Sequence, residues 1–146
     1  MTLFDSMNIS SSGLSANRVR MNVIASNMAN THTSRTQEGT PYRRKRVFLQ
    51  TQNHYNSFKN EMREQLLKKG VTSVKVRDVV EDRREFISKY DPSHPDADEK
   101  GYVKMPNINI MEEMTEMIIA TRSYEANVTA FNAAKGMAMK ALEIGK

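Results

Sequence analysis

Two stretches of the chain carry a seven-residue apolar repeat, and the stretch between them does not. Met7, Leu14, Met21 and Met28 stand seven apart, with Ile24 at the other seam position. Near the C-terminus Ile110, Met117, Tyr124, Phe131 and Ala138 keep the same spacing. Met114, Thr121, Val128 and Leu142 fall between them, and Lys135 is the one charged interruption. A period of 3.5 residues holds one stripe of a helix against a partner helix along its length. The pattern predicts a mainly α protein with a small β region: long N- and C-terminal helices paired as a coiled-coil-like hairpin, and a short β-rich middle. Residues 1–35 and 106–146 form the paired helices in this reading, and 36–105 a small middle domain.

The N-terminal helix is expected over about Phe4 to Ala29, interrupted at Ser10-Ser11-Ser12-Gly13, since Gly costs about 1 kcal/mol relative to Ala and Ser competes for backbone bonds. Asn27, Asn30, Thr31, Thr33, Ser34 and Thr36 make a polar exit. Four β-branched or aromatic groups then predict strands: Val47-Phe48-Leu49, Val71 to Val76, Phe86-Ile87 with Tyr90, and Tyr102-Val103. Phe58, Met62 and Leu66 recur every four residues after Ser57 and suggest a short helix ending at Gly70. Asp91-Pro92-Ser93-His94-Pro95 is a turn, because both prolines bar a helix. Asn109 reads as the N-cap of the last helix, with Glu112 three residues on in a capping-box relation and Glu112, Glu113 and Glu116 favoured by the helix dipole. Ile110 to Ile144 would span about 52 Å, too long to bury its stripe against a partner of some 25 residues. The remainder is available to other chains. Several of the eleven methionines lie on these stripes; they are ordinary core filling one by one, and together suit a helix that packs against unlike neighbours.

Charge changes the picture in one place. Residues 1–50 hold seven basic groups against Asp5 and Glu38, whereas residues 51–146 hold fifteen of each sign. Four of the seven are the run Arg43-Arg44-Lys45-Arg46, which could be a nucleic-acid patch. No aromatic stacking platform accompanies it, which favours a solvated strand edge or loop. Cysteine is absent, so disulfides and thiolate metal sites are excluded. His32, His54 and His94 are far apart in polar stretches, and Asp96, Asp98 and Glu99 lack the register of a calcium loop. No phosphate-binding glycine motif or nucleophile elbow occurs. The expectation is no enzyme activity, cofactor, metal or small-molecule substrate. The longest strictly apolar run, Met117 to Ala120, is far short of the roughly 20 residues that span a bilayer, and no cleaved secretory signal is expected.

Residues 11–31, SSGLSANRVRMNVIASNMANT, resemble the N-terminal signature of bacterial flagellar rod and hook proteins, with Leu14, Ala16, Asn22, Ala25, Ser26, Asn27, Met28, Ala29 and Asn30 at matching positions. Arg-Ser-Tyr-Glu-Ala-Asn-Val at 122–128 resembles the partner signature. Gly39 to Lys45, Tyr90-Asp91-Pro92 and Gly101 to Asn107 narrow the resemblance to the proximal rod, whose subunits have this length. Residues 53–70 depart from it as a longer, more charged, atypical insertion.

The resemblance implies a structural subunit of the basal-body rod, exported unfolded and without a cleaved signal by the flagellar type III machinery, and assembled in the periplasm as the shaft that carries motor torque to the hook. Its implied partners are other copies and other rod subunits, a junction protein at the basal-body ring and export gate below, and the distal rod above. Leu14, Met21, Ile24 and Met28 are then expected to pack against Met114, Met117, Thr121, Tyr124, Val128 and Phe131, within one chain and between chains. Asn27 and Asn30 would close the helix end and bond neighbouring backbones. The rival readings are a cytoplasmic helical interaction or regulatory module and a nucleic-acid-binding protein using Arg43–Arg46.

Overall fold

A computed structural model describes residues 3–53 and 72–144. Helix α1 runs Leu3–Ala29 and helix α2 runs Ile110–Ile144. Between them lie β1 (Lys45–Asn53), β2 (Thr72–Glu81), β3 (Ile87–Tyr90) and β4 (Tyr102–Met105). Strands β1 and β2 form one two-stranded sheet, and β3 and β4 another. The second is antiparallel, with Ile87 opposite Met105 and Tyr90 opposite Tyr102. This is the expected mainly α chain with a small β region. The helix suggested by Phe58, Met62 and Leu66 lies outside the described residues. Among the described residues no helix is long and apolar enough to cross a membrane.

The described residues fall into two compact units. One holds 3–19, 49–53, 72–77 and 120–144; the other holds 20–48 and 78–119. In the first, α1 passes through Ser10 to Gly13 without the expected interruption. Ser12 donates its hydroxyl to the Ile9 carbonyl at 2.7 Å and accepts from the Val74 amide at 3.1 Å, so the competing side chain is used without breaking the helix. Gly13 has a tertiary reason: a Cβ there would lie 2.9 Å from the Asn127 side-chain nitrogen. Close packing outweighs poor local propensity. Among the described residues of this unit, those that are buried are small: Ser10, Ala16, Ala120 and Ala134.

In the second unit the polar exit of α1 folds as its composition predicts. Asn30 donates its side-chain amide to the Ser26 carbonyl and accepts from the Thr33 hydroxyl, closing the helix end. Asn109 caps α2 by accepting from the Met111 amide at 3.0 Å. Val103, Pro106, Asn107 and Ile108 are buried where β4 leads into α2. Gly101 enters β4 with φ of 79°, against the Tyr90 ring and Pro92. Gly101→Ala is therefore expected to cost about 1–2 kcal/mol, because an L side chain strains this backbone and its Cβ would meet Tyr90 at 3.0 Å. Urea unfolding of the purified chain measures it, and an unchanged midpoint would contradict the assignment.

Candidate assembly site and its internal anchor

The basic run 43–46 is neither a solvated edge nor a free cationic patch. It enters β1 beside the start of α2, and the second unit uses most of it internally. Arg44 is 5% exposed and Glu113 0%. Arg44 Nε donates to Glu113 at 2.5 Å, and its terminal nitrogens reach Glu116 at 3.1 Å and Glu112 at 3.8 Å. Arg20 reaches the other Glu116 oxygen at 3.4 Å. Arg43 lies 4.3 Å over the Phe86 ring and donates to the carbonyls of Asp82 and Arg84. Lys45 sits near the Tyr42 ring. Of the four, only Arg46 is exposed. Three carboxylates on the first turns of α2 answer the buried guanidinium, so the charge signal read as outward-facing is spent within the fold. Nearby, the Arg84 hydrogen bond holds the Asp82 carboxyl below the usual aspartate range.

Asn27 is the second member of this anchor. Its side-chain nitrogen donates to the Lys45 carbonyl and to Glu113, each at 2.9 Å, and its oxygen accepts from the Lys45 amide at 2.9 Å. The side chain thus pairs with the backbone at the start of β1 much as a neighbouring strand would, and the Tyr42 hydroxyl adds a bond to the same oxygen at 3.2 Å. Asn107 does the equivalent from the other side, accepting from the Arg44 amide and donating to the carbonyls of Asp82 and Arg84. Among the described residues no buried side-chain nitrogen or oxygen lacks a partner. Asn27→Leu should cost about 3 kcal/mol, since it leaves both Lys45 backbone groups and one Glu113 oxygen unanswered at about 1–3 kcal/mol each where water cannot enter. The urea midpoint again reads it, and loss under about 1 kcal/mol would mean that water reaches the site and replaces the lost bonds.

The twelve expected interface residues divide by unit. In the second, Ile24 and Asn27 are buried, Met21, Met28, Asn30 and Met117 half-buried, and Met114 exposed. In the first, Leu14, Thr121, Tyr124, Val128 and Phe131 are all half-buried. The residues of α2 that are fully covered lie one position away or a few, at Glu113, Ala120 and Ala134. In the second unit, polar contacts join α1 to α2: Asn27 with Glu113 and Arg20 with Glu116. Sequence reasoning missed Arg20, Arg44, Asn107 and Glu113 as anchors. The available signal was the seven-residue spacing of Glu113, Ala120, Asn127 and Ala134, a line of small and polar residues that an apolar search passes over.

The larger apolar side chains of α2 are left outside that line. Ile110, Met114 and Ile118 repeat every four residues with Met111 beside them, and Met111 and Ile118 are 70% and 61% exposed. Together they form a contiguous apolar stripe that the described residues leave exposed. Among the described residues no group of three or more His, Asp or Glu is arranged to hold a metal ion.

Known proteins resemble the chain from end to end. A family described as flagella basal body rod protein matches residues 7–35, and one described as flagellar basal body rod FlgEFG protein C-terminal matches residues 99–144. The flagellar basal-body rod protein FlgC of Bacillus subtilis is 49% identical, with all of both chains covered. That of Borreliella burgdorferi is 44% identical over 99% of this chain and 98% of its own. That of Aquifex aeolicus is 41% identical over 100% of this chain and 99% of its own.

Proposed function

The chain belongs to the FlgC family of flagellar basal-body rod proteins, and from that premise we propose that it builds the rod through the apolar side of α2 that its own fold leaves uncovered. It is a structural subunit of the basal body that assembles with other rod components, and it is not an enzyme. The full-length relationship does not favour the cytoplasmic-module reading. The burial of Arg44 against Glu113 and the bonding of Arg43 to backbone carbonyls do not favour nucleic-acid binding through this run.

In the proposed mechanism the chain is exported by the flagellar type III machinery without a cleaved signal and joins a periplasmic tube. Residues 1–35 and 106–146 make the helical wall, and 36–105 lie beside it as a smaller element. Neighbours are other rod subunits, a ring and export-gate junction protein below, and the distal rod above. The contacts are head-to-tail and heterologous, which gives an open helical assembly able to carry torque. Leu14, Met21, Ile24, Asn27, Met28, Asn30, Met114, Met117, Thr121, Tyr124, Val128 and Phe131 act at or behind the wall contacts. Ile110, Met111 and Ile118 join them at its surface.

One observation supports this most. Within the second unit Asn27–Glu113 and Arg20–Glu116 tie the two helices together, while Ile110, Met111, Met114 and Ile118 stay exposed. Apolar area exposed in a single chain gains about 25 cal/mol per Å² when a neighbour covers it. The experiment is to purify intact hook–basal bodies and identify the chain by mass spectrometry. Its presence at a few copies per particle is the expected result. Its confinement to the cytosolic fraction would overturn the reading.

A further inference from the structure

We infer that the thioethers of Met111 and Met114 form an oxidation site, open to a peroxide-class oxidant while the subunit is free and closed once a neighbouring subunit covers α2. The inference rests on the proposed contact at this side of α2 and names a control over it.

The methionines do not stand where core filling would put them. Among the described residues no methionine is fully buried. Four of the eight large apolar side chains that α2 leaves exposed are methionines, Met111, Met114, Met137 and Met139. A flexible thioether suits an irregular contact, but a sulfur standing in water is open to a chemistry that isoleucine and leucine lack. Met111 is 70% exposed and Met114 45%. They lie three residues apart, so they are neighbours on the surface of α2, between Ile110 and Ile118. The Met111 amide is bonded to the Asn109 side chain, which holds this first turn in place. The chain contains no cysteine and no tryptophan, so methionine sulfur is its most readily oxidised group and no thiol of its own reverses the product.

The step needs only the oxidant. The thioether sulfur attacks one oxygen of hydrogen peroxide, the S–O bond forms and the O–O bond breaks. The proton on the attacked oxygen passes to the departing one, which leaves as water. Sulfur loses two electrons and the peroxide gains them. A dithiol reductant reverses the change, taking the oxygen off as water and becoming a disulfide. The sulfoxide oxygen accepts hydrogen bonds and donates none. On the free subunit water satisfies it. In a covered apolar contact that water is lost, and neither Ile110 nor Ile118 can replace it. Oxidation therefore withholds the subunit from the rod without touching its buried anchor, and reduction returns it.

Hydrogen peroxide given to the purified full-length chain, followed by peptide mass spectrometry, tests the site. Met111 should gain one oxygen at a rate within about threefold of free methionine. A Met111 that stays reduced while free methionine is consumed overturns the inference. In cells, the chain is pulsed with peroxide and catalase is added before rods are allowed to form. Chain recovered from basal bodies should then carry at least about tenfold less sulfoxide at positions 111 and 114 than unincorporated chain. Equal fractions overturn the inference. Met111→Gln with Met114→Gln, a polar stand-in that needs no oxidant, should lower basal-body counts at least about tenfold. Met111→Leu with Met114→Leu keeps the apolar volume and should assemble normally with or without the pulse. Normal counts for the glutamine variant, or lost assembly of the leucine variant in either condition, overturn the inference. If Ile118→Asp blocks assembly and the glutamine variant does not, this inference alone fails. If both assemble, the proposed contact on this side of α2 fails with it.

Discussion

Arg44→Met is expected to lower the stability of the folded chain by about 3–5 kcal/mol, the range seen when one partner of a buried ion pair is removed. Arg44 is 5% exposed and Glu113 is 0% exposed, so the Glu113 carboxylate would be left without its cationic partner in a site water does not reach. Methionine fills much of the arginine stem, so the loss is electrostatic more than steric. Urea unfolding measures it. The paired substitution Arg44→Met with Glu113→Gln should recover part of the loss, because the stranded charge is gone and Asn27 can still bond the glutamine oxygen. A coupling of about 1–3 kcal/mol between the two sites is expected for residues in direct contact. Additive losses would show that the ion pair is not what joins β1 to the start of α2.

Ile118→Asp is expected to abolish rod assembly and swimming while leaving the monomer intact. Ile118 is 61% exposed, so its replacement should move the monomer's stability by no more than about 0.5 kcal/mol. In a covered contact the same aspartate must be desolvated without a partner, at about 3 kcal/mol or more per subunit, and the cost recurs at every copy. Ile118→Leu keeps the volume and should assemble normally. Swimming halos, with counts of basal bodies by electron microscopy, read both. A motile Ile118→Asp strain with normal basal bodies would place the contact elsewhere on the chain. The two variants separate the two roles: Arg44 is expected to hold the subunit together, and Ile118 to hold subunits to one another.

Much of this architecture could be read from the chain because its signals are local. Asn109 caps α2 where its side chain and position predict. The four strands stand where β-branched and aromatic residues lie between breakers, and Phe86 falls just outside β3, under Arg43. What escaped was set by residues distant in sequence. A basic run looks solvated unless its acidic partners are known to fold back on it, and Glu113 is 69 residues from Arg44. Ser10 to Gly13 looked like a helix break because propensity counts only neighbours, whereas Val74 and Asn127 supply the reason those residues are small. Apolar heptads drew attention to Met114, Thr121 and Val128, while the covered line at Glu113, Ala120 and Ala134 is built from residues that such a search ignores.

Whether rod subunits meet on the uncovered side of α2 can be decided by thiol labelling at one position in two states. The chain has no cysteine, so Ile118→Cys creates a single reporter, with Glu99→Cys as an exposed control outside the helix. If subunits meet there, the thiol introduced at position 118 reacts with a maleimide as fast as a free thiol in the monomer. In intact basal bodies it reacts at least about tenfold slower, because burial shields it. The control thiol at position 99 should react readily in the monomer. Equal reactivity at position 118 in monomer and basal body would show that this side of α2 stays open in the rod, and that subunits meet somewhere else.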